Sequence, residues 1–425
     1  MNKKAYINNL IGFIKKSSCS FTCVEEIKRI LKKEGYKELK ENSKWNLKGK
    51  KYYTVRNDAS IIAFEIPQKL NRAFSIITTH LDTPALLLKP CGNYIKENYL
   101  KHNIMPYGGL LNYGWLDHPL SLAGRIIINN KGNLEKKIVD FKNECLIIPS
   151  VAIHQNDSAN SNLDLNMQVD LQPIISLSKD KNTWNKLLRK KINGNIVDYD
   201  LYAYNPYNPT LIGNNKELLV SPRIDNIVSV YSSLQSFLET KSNNIKIFCS
   251  FNTEEIGSLT IDGADSNFLL DVLKRIAANL DIDLVSSLDN SFIISSDNTH
   301  AIHPNHPEYC DDTGKIYLGK GFAIIKEENS TTNSMSSSII KTICDKYKIK
   351  YQDSTAKNDL SGGSTLSGIS LRHVSVLSID VGIGQLSMHS SIEVCSINDA
   401  YELYKMMNAF YKTRIKKDNS IIKII

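Results

Sequence analysis

The sequence predicts an α/β protein: a mostly parallel, mixed sheet sandwiched by helices, with an inserted, mainly β domain. Three observations lead there. After about residue 216, helix-like and strand-like segments alternate, a pattern that builds a parallel sheet covered by helices. Between 91 and 215 the alternation stops, and strand-like runs are separated by polar, turn-rich stretches. Histidines and carboxylates fall just beyond apolar runs, where open α/β sheets form their sites. The chain therefore divides into a discontinuous unit, 1–90 and 216–425, and an insertion, 91–215.

The elements follow in order. NNLIGFIKKS (8–17) and VEEIKRILKKEGY (24–36) have apolar positions at helical spacing, and Gly35 is a stop signal. AFSIITT (73–79) is an apolar run of strand length. GRIIIN (124–129) and ECLIIPSVAIH (144–154) are strand-like pieces of the insertion. PRIDNIVSVYSSLQSFLE (222–239) reads as a helix with an early proline. KIFCSFN (246–252) and SFIISS (291–296) read as strands, with a helix at 264–279 between them. NSTTNSMSSS (329–338) reads as a helix entry or a loop, followed by a helix at 335–347, a strand at VSVLSID (374–380) and a final helix at 397–414.

Composition narrows the class. Of the 425 residues, 42% are hydrophobic and 23% charged, which supports a sizeable core and excludes a mainly disordered chain. No stretch approaches the ~20 apolar residues of a membrane helix, so no membrane partner is expected. The start, MNKKAYINNLIGFIKKSSCS, reads as an amphipathic helix and not as a signal peptide. Eight scattered cysteines, with Cys19 and Cys23 lacking zinc-hook spacing, read as free thiols of a cytoplasmic protein. The net charge of +8 comes from lysines spread along the chain, with modest clusters at 46–51, 186–191 and 413–417. That is a solvated surface without a nucleic-acid module, so nucleic acid is not an expected partner.

The polar residues at strand ends carry the chemistry. His80 follows the run at 73–79, Glu254 and Glu255 follow 246–252, and Asp297 follows 291–296. His389 lies beyond 374–380, and Asp225 sits near the start of the helix at 222–239. Singly, each reads as a loop, cap or core residue. Jointly they supply two histidines and several carboxylates to one sheet edge, a donor set suited to a pair of zinc ions. Asp82, two residues after His80, offers a carboxylate for the second ring N–H of that imidazole. Two divalent ions ~3.5–4 Å apart polarise a carbonyl and acidify a shared water, and a further carboxylate must carry the proton. Amide hydrolysis is the expected reaction class.

At this point the chain resembles the aspartyl aminopeptidase/aminopeptidase I family of dinuclear zinc exopeptidases. The resemblance runs from about residue 50 to the C-terminus. It is carried by THLDTPALLLKP (79–90), LDHPLSLAGRI (116–126), IPSVAIH (148–154), SPRIDN (221–226), NTEEIGS (252–258), SSDNTHAIHPN (295–305), NDLSGGSTLSGI (358–369) and IGQLSMHS (383–390), in the family's order. It implies a zinc exopeptidase-like fold, with 91–215 as a dimerisation and substrate-gating domain. It implies that His80 and Asp297 ligate one zinc, Glu255 and His389 the other, with Asp225 bridging and Glu254 as general base. It further implies that Asp82 supports His80, that His154 reaches a neighbouring subunit's site, and that His303 and the Gly362–Gly363–Ser364–Thr365 loop line the pocket. Two zinc ions per subunit are implied, with cobalt or manganese open as alternatives. Peptides with a free N-terminus are the implied substrates, and a homo-oligomer, dimer-based and up to a dodecamer, is the implied assembly.

One segment departs from the family pattern. Many members follow the IHPN segment with asparagine, basic residues and tyrosine that recognise acidic side chains. Here IIKEENSTTNSM (324–335) brings Glu327 and Glu328, without the arginine–tyrosine pair. A pocket for Asp or Glu wants a cation, so neutral and basic N-terminal residues stay open. Two rival readings stand beside the aminopeptidase: a dinuclear metal amidohydrolase acting on acylated amino acids, and a non-catalytic oligomeric scaffold.

Overall fold

The structure is a computed structural model that describes residues 1–161, 164–359, 366–418 and 421–425. The Gly362–Thr365 loop lies outside the described residues. The central sheet contains β1 (Lys51–Arg56), β2 (Ser60–Glu65), β3 (Phe74–His80), β4 (Ile245–Phe251), β5 (Phe292–Ser296), β6 (Phe322–Ile325), β7 (Tyr351–Ser354) and β8 (Ser378–Gly382). With the two-residue edge strand Lys37–Glu38, the spatial order is Lys37–Glu38, β1, β2, β4, β3, β5, β8, β6, β7. The centre of the sheet, β4-β3-β5-β8, is parallel. Antiparallel pairs, β2 with β4 and β6 with β8, flank it. The sheet is therefore mixed, with its parallel part in the middle.

Strand periodicity decides what covers each face. Ile77, Phe248 and Ile294 point into one apolar cluster, together with Leu10 of α1 (Lys3–Ile14), Ile27 of α2 (Ser20–Lys33) and Val230 of α3 (Ile224–Glu239). Their strand neighbours Ile76, Ile247 and Ile293 point into the opposite cluster, with Val272 and Ile276 of α4 (Phe268–Leu280). The period of two thus sends adjacent residues to different cores. The first cluster also takes residues from α5 (Ser334–Tyr347) and α6 (Ile397–Lys412).

Boundaries differ from the periodicity in places. The helix expected at 264–279 begins at Phe268, and the strand expected at 374–380 begins at Ser378. The serine-rich run at 329–338 is a helix entry: Asn333 caps α5 and shares a capping box with Ser336. Asp225 stands in a non-helical turn at the mouth of α3, with a cis peptide to Asn226.

A seven-stranded antiparallel sheet is built from strands between Ala85 and Tyr204. Strand Asn195–Tyr204 pairs with both Ala85–Lys96 and Pro119–Asn130, so the ladder closes on itself. Its interior is a separate apolar cluster that includes Leu86, Ile126, Leu201 and Trp184. A further sheet joins Thr210–Ile212 and Leu218–Ser221 to Glu393–Ser396, Gly384–Leu386 and Thr299–His300. Among the described residues no helix is long and apolar enough to cross a membrane.

Candidate metal centre

His80 is the last residue of β3, next to the ends of β4 and β5. Parallel strands end on the same side, so His80, Glu254, Glu255 and Asp297 emerge at one edge. His80 Nδ1 lies 3.0 Å from the backbone carbonyl of Asp82. A carbonyl only accepts, so Nδ1 carries a hydrogen, which leaves Nε2 as the nitrogen turned toward the carboxylates. Nε2 faces Asp297 Oδ1 at 3.1 Å and Asp225 Oδ1 at 3.3 Å. Burial alone would lower the His80 pKa, but the Asp297 and Asp225 carboxylates carry it well above the usual imidazole range.

His389 repeats the arrangement. It adopts φ 66°, and its Nδ1 lies 2.8 Å from the carbonyl of Gly109. Its Nε2 then faces Glu255 Oε2 at 3.5 Å and Asp225 Oδ2 at 3.7 Å. Burial opposes the imidazolium here too, yet the Asp225 and Glu255 carboxylates raise the pKa to about 10. Asp225 lies between the two imidazoles. Burial would raise its pKa, and His389 and His80 hold it well below the carboxylate range. Asp225 Oδ1 and Glu255 Oε1 are buried without a hydrogen-bond partner.

Glu254 and Glu255 open a short 3-10 turn after β4, entered through Thr253 at φ 61°. Burial raises the Glu254 carboxyl to about 8, helped by Asp297 and Asp82. Burial and the neighbouring Asp225 raise Glu255 well above the usual range. Asp297 is positioned by a close backbone approach: a Cβ on Gly382 would sit 1.7 Å from the Asp297 carbonyl oxygen, so only glycine fits beside it.

Asp82 departs from its expected contact. The sequence places its carboxylate on the His80 ring; in the structure its backbone carbonyl takes that hydrogen, and Asp82 Oδ1 stays 3.7 Å from Nδ1. The side chain instead accepts the backbone N–H of Glu254 (3.2 Å) and of Glu255 (3.1 Å), and the hydroxyl of Tyr107 (2.9 Å). The physical reason is that the first N–H groups of a helical turn have no partner within the turn.

Three contributors lack a strong signal in the sequence. Glu393 is buried and accepts the backbone N–H of Asp225 (3.1 Å) and His389 (2.9 Å), and the Gln385 side chain (3.1 Å). A carboxylate inside the apolar strand SIEVCS is the one hint of it. Tyr107 and Gly109 come from the end of strand Tyr99–Tyr107 and the loop after it. Gly108 between them, at φ 77°, packs against Glu255, which a Cβ would approach to 3.1 Å.

The histidine and carboxylate donors fall into three overlapping groups whose ligand atoms lie within 4.8 Å of one another: His80–Asp225–Asp297, His80–Glu254–Glu255 and Asp225–Glu255–His389. All of them line a cavity of about 790 Å³, which His303 and Glu327 also line. His154 is exposed, in the short turn Ile153–Gln155, and does not line this cavity in its own chain.

An α/β fold with this concentration of nitrogen and oxygen donors at a sheet edge defines a metal-dependent hydrolase. The sequence model described as Aminopeptidase I zinc metalloprotease (M18) matches residues 13–411, and the chain belongs to that family. A probable M18 family aminopeptidase 2 of Clostridium novyi is 39% identical over 429 residues, covering 96% of this chain and 99% of its own. Among solved structures, the one described as the Ape4 and Nbr1 complex superposes with a TM-score of 0.90 at 30% identity, over 96% of this chain and 86% of that one. The mApe1 dodecamer of S. cerevisiae shares the fold, with a TM-score of 0.84 at 24% identity over 96% of each chain. The chain is thus a metal-dependent aminopeptidase, a hydrolase acting on peptide bonds.

Proposed function

We propose that this aminopeptidase works with two zinc ions per subunit, His80 and Asp297 holding one, Glu255 and His389 the other, and Asp225 shared. The observation that carries the reading is the convergence of metal-ligating atoms in three overlapping groups. The Nε2 atoms of His80 and His389 meet the carboxylates of Asp225, Glu255 and Asp297, and buried Glu255 Oε1 has no hydrogen-bond partner. Carboxylates gathered this closely repel one another unless positive charge sits among them, and nitrogen and oxygen donors in this number suit zinc, with cobalt or manganese as alternatives. When bound, zinc would polarise the scissile carbonyl and acidify the attacking water.

The remaining chemistry falls to the chain's own residues. Glu254 is the proposed general base: its carboxylate takes the proton of the attacking water and returns it to the leaving amine. Burial raises its pKa above the usual carboxylate range, and two zinc ions beside it would draw it back toward the ionised form a base needs. Asp82 holds Glu254 and Glu255 in place through their backbone N–H groups.

The substrates in this reading are peptides with a free N-terminus. Glu327 in the cavity wall disfavours an acidic side chain, while Lys357 in the same wall is a cation, so neutral and basic N-terminal residues stay open beside acidic ones. The segment 91–215 is the proposed dimerisation and substrate-gating unit. Exposed Ile147, Val151, Ile153 and Leu177 on it support a homo-oligomer. His154, exposed on the same unit, would then serve a neighbouring subunit's site.

The test is zinc quantification per chain alongside a panel of fluorogenic aminoacyl substrates and their N-acetylated counterparts. Two zinc ions per chain and hydrolysis of free-amine substrates alone are expected. Full activity with one ion, or equal activity on N-acetylated substrates, would refute the reading.

A further inference from the structure

Beside Asp225 lies a second, small cavity of about 20 Å³, whose wall includes Arg223, Trp115, Tyr204, Asn205 and Glu393. A single water-sized guest needs ~10–15 Å³, so one small guest fits. Arg223 is 8% exposed, adopts φ 59° and precedes Asp225 by two residues. Its Nη1 donates to the Asn205 carbonyl at 3.1 Å, and its guanidinium lies 5.2 Å from the centroid of the Tyr204 ring. Its Nε has no acceptor. Asp140 and Glu393 are the carboxylates whose charge reaches Arg223; among the described residues neither forms an ion pair with it, and Asp140 accepts from Ser18 and Tyr204 instead. Trp115 is 3% exposed, and its indole Nε1–H also has no acceptor.

Two buried N–H donors, one on a permanent cation, therefore border the same small cavity. A buried charge without a directly paired counter-charge is unfavourable. The carboxylates in the wall are otherwise engaged. Glu393 accepts from the backbones of Asp225 and His389 and from Gln385, while Asp225 faces the two imidazoles.

We propose that this cavity binds one monovalent halide, chloride under ordinary conditions, on Arg223 Nε–H and Trp115 Nε1–H. The halide neutralises Arg223 and fixes the left-handed turn that leads into Asp225. It binds the folded state alone and so stabilises it by mass action.

The test uses the zinc-loaded full chain in sodium chloride and in sodium methanesulfonate at equal ionic strength. Its readouts do not depend on catalysis, so they stand apart from the dizinc reading. The expected result is a saturable rise of the unfolding midpoint in chloride only. A sodium bromide soak should also give an anomalous peak within hydrogen-bond distance of both nitrogens. Trp115→Phe removes one N–H donor while keeping an aromatic ring, and should raise the half-saturating chloride concentration about tenfold, as expected for one lost bond to a charged acceptor. Arg223→Met should abolish the chloride effect, and Trp115→Phe carries the test if that variant does not fold. Equal midpoints in the two salts, a cavity holding only water after the bromide soak, or an unchanged chloride response in Trp115→Phe would overturn the proposal.

Discussion

Asp82→Asn separates two roles for one carboxylate. If Asp82 served to orient His80 through its side chain, an asparagine carbonyl could take over and little would change. In the structure the carboxylate holds three other donors: the N–H groups of Glu254 and Glu255 and the hydroxyl of Tyr107. Asparagine has one acceptor oxygen and one donor nitrogen. With Nδ2 in the Oδ2 position, it faces the Glu255 N–H. With the amide flipped, it faces the Glu254 N–H. Either orientation leaves one backbone donor against another donor. A lost hydrogen bond to a charged group is worth ~1.5–3 kcal/mol, which corresponds to roughly 10- to 150-fold. That loss should appear in kcat/KM for an aminoacyl substrate and in zinc affinity measured by chelator competition. Tyr107→Phe leaves both N–H bonds in place and should cost less. The double variant should be non-additive, because both changes act on the same carboxylate. Wild-type kcat/KM and zinc affinity in Asp82→Asn would refute the reasoning.

Other predictions follow from the same geometry. Glu254→Gln should retain zinc but lose ~10²–10⁴ in kcat, since an amide cannot relay a proton, while Glu255→Ala should lower the zinc stoichiometry measured by elemental analysis. A chelator such as 1,10-phenanthroline should abolish hydrolysis and lower the thermal midpoint, both restored by added zinc, because the ion binds the folded state preferentially. Away from the site, Lys246 is 2% exposed, lies 3.1 Å from Glu65 and donates to the carbonyls of Phe237 and Thr240. Lys246→Met should destabilise the protein by ~2–4 kcal/mol in denaturant titration, because it strands those acceptors. An unchanged denaturation midpoint would show that they find other donors.

Much of the site was legible because it follows from strand geometry. His80, Glu254, Glu255 and Asp297 stand directly after apolar runs, and neighbouring parallel strands end on one side, so their convergence needed no coordinates. Asp225 and His389 were legible as polar residues in unusual local settings, although the left-handed conformation of His389 and the turn at Asp225 were not.

What the one-dimensional pattern determined, then, is the class of fold and the donors gathered at one sheet edge. Periodicity and strand ends are local properties of the chain. Tertiary structure alone decided which backbone groups hold those donors in place. Asp82 reaches the N–H of Glu254 across 172 residues, Gly109 reaches His389 across 280, and Glu393 reaches Asp225 across 168. Every residue carries a backbone donor or acceptor, so residue type says nothing about which of them will meet. Only the packing of the antiparallel unit and the helix-covered sheet against a common edge selects those pairs.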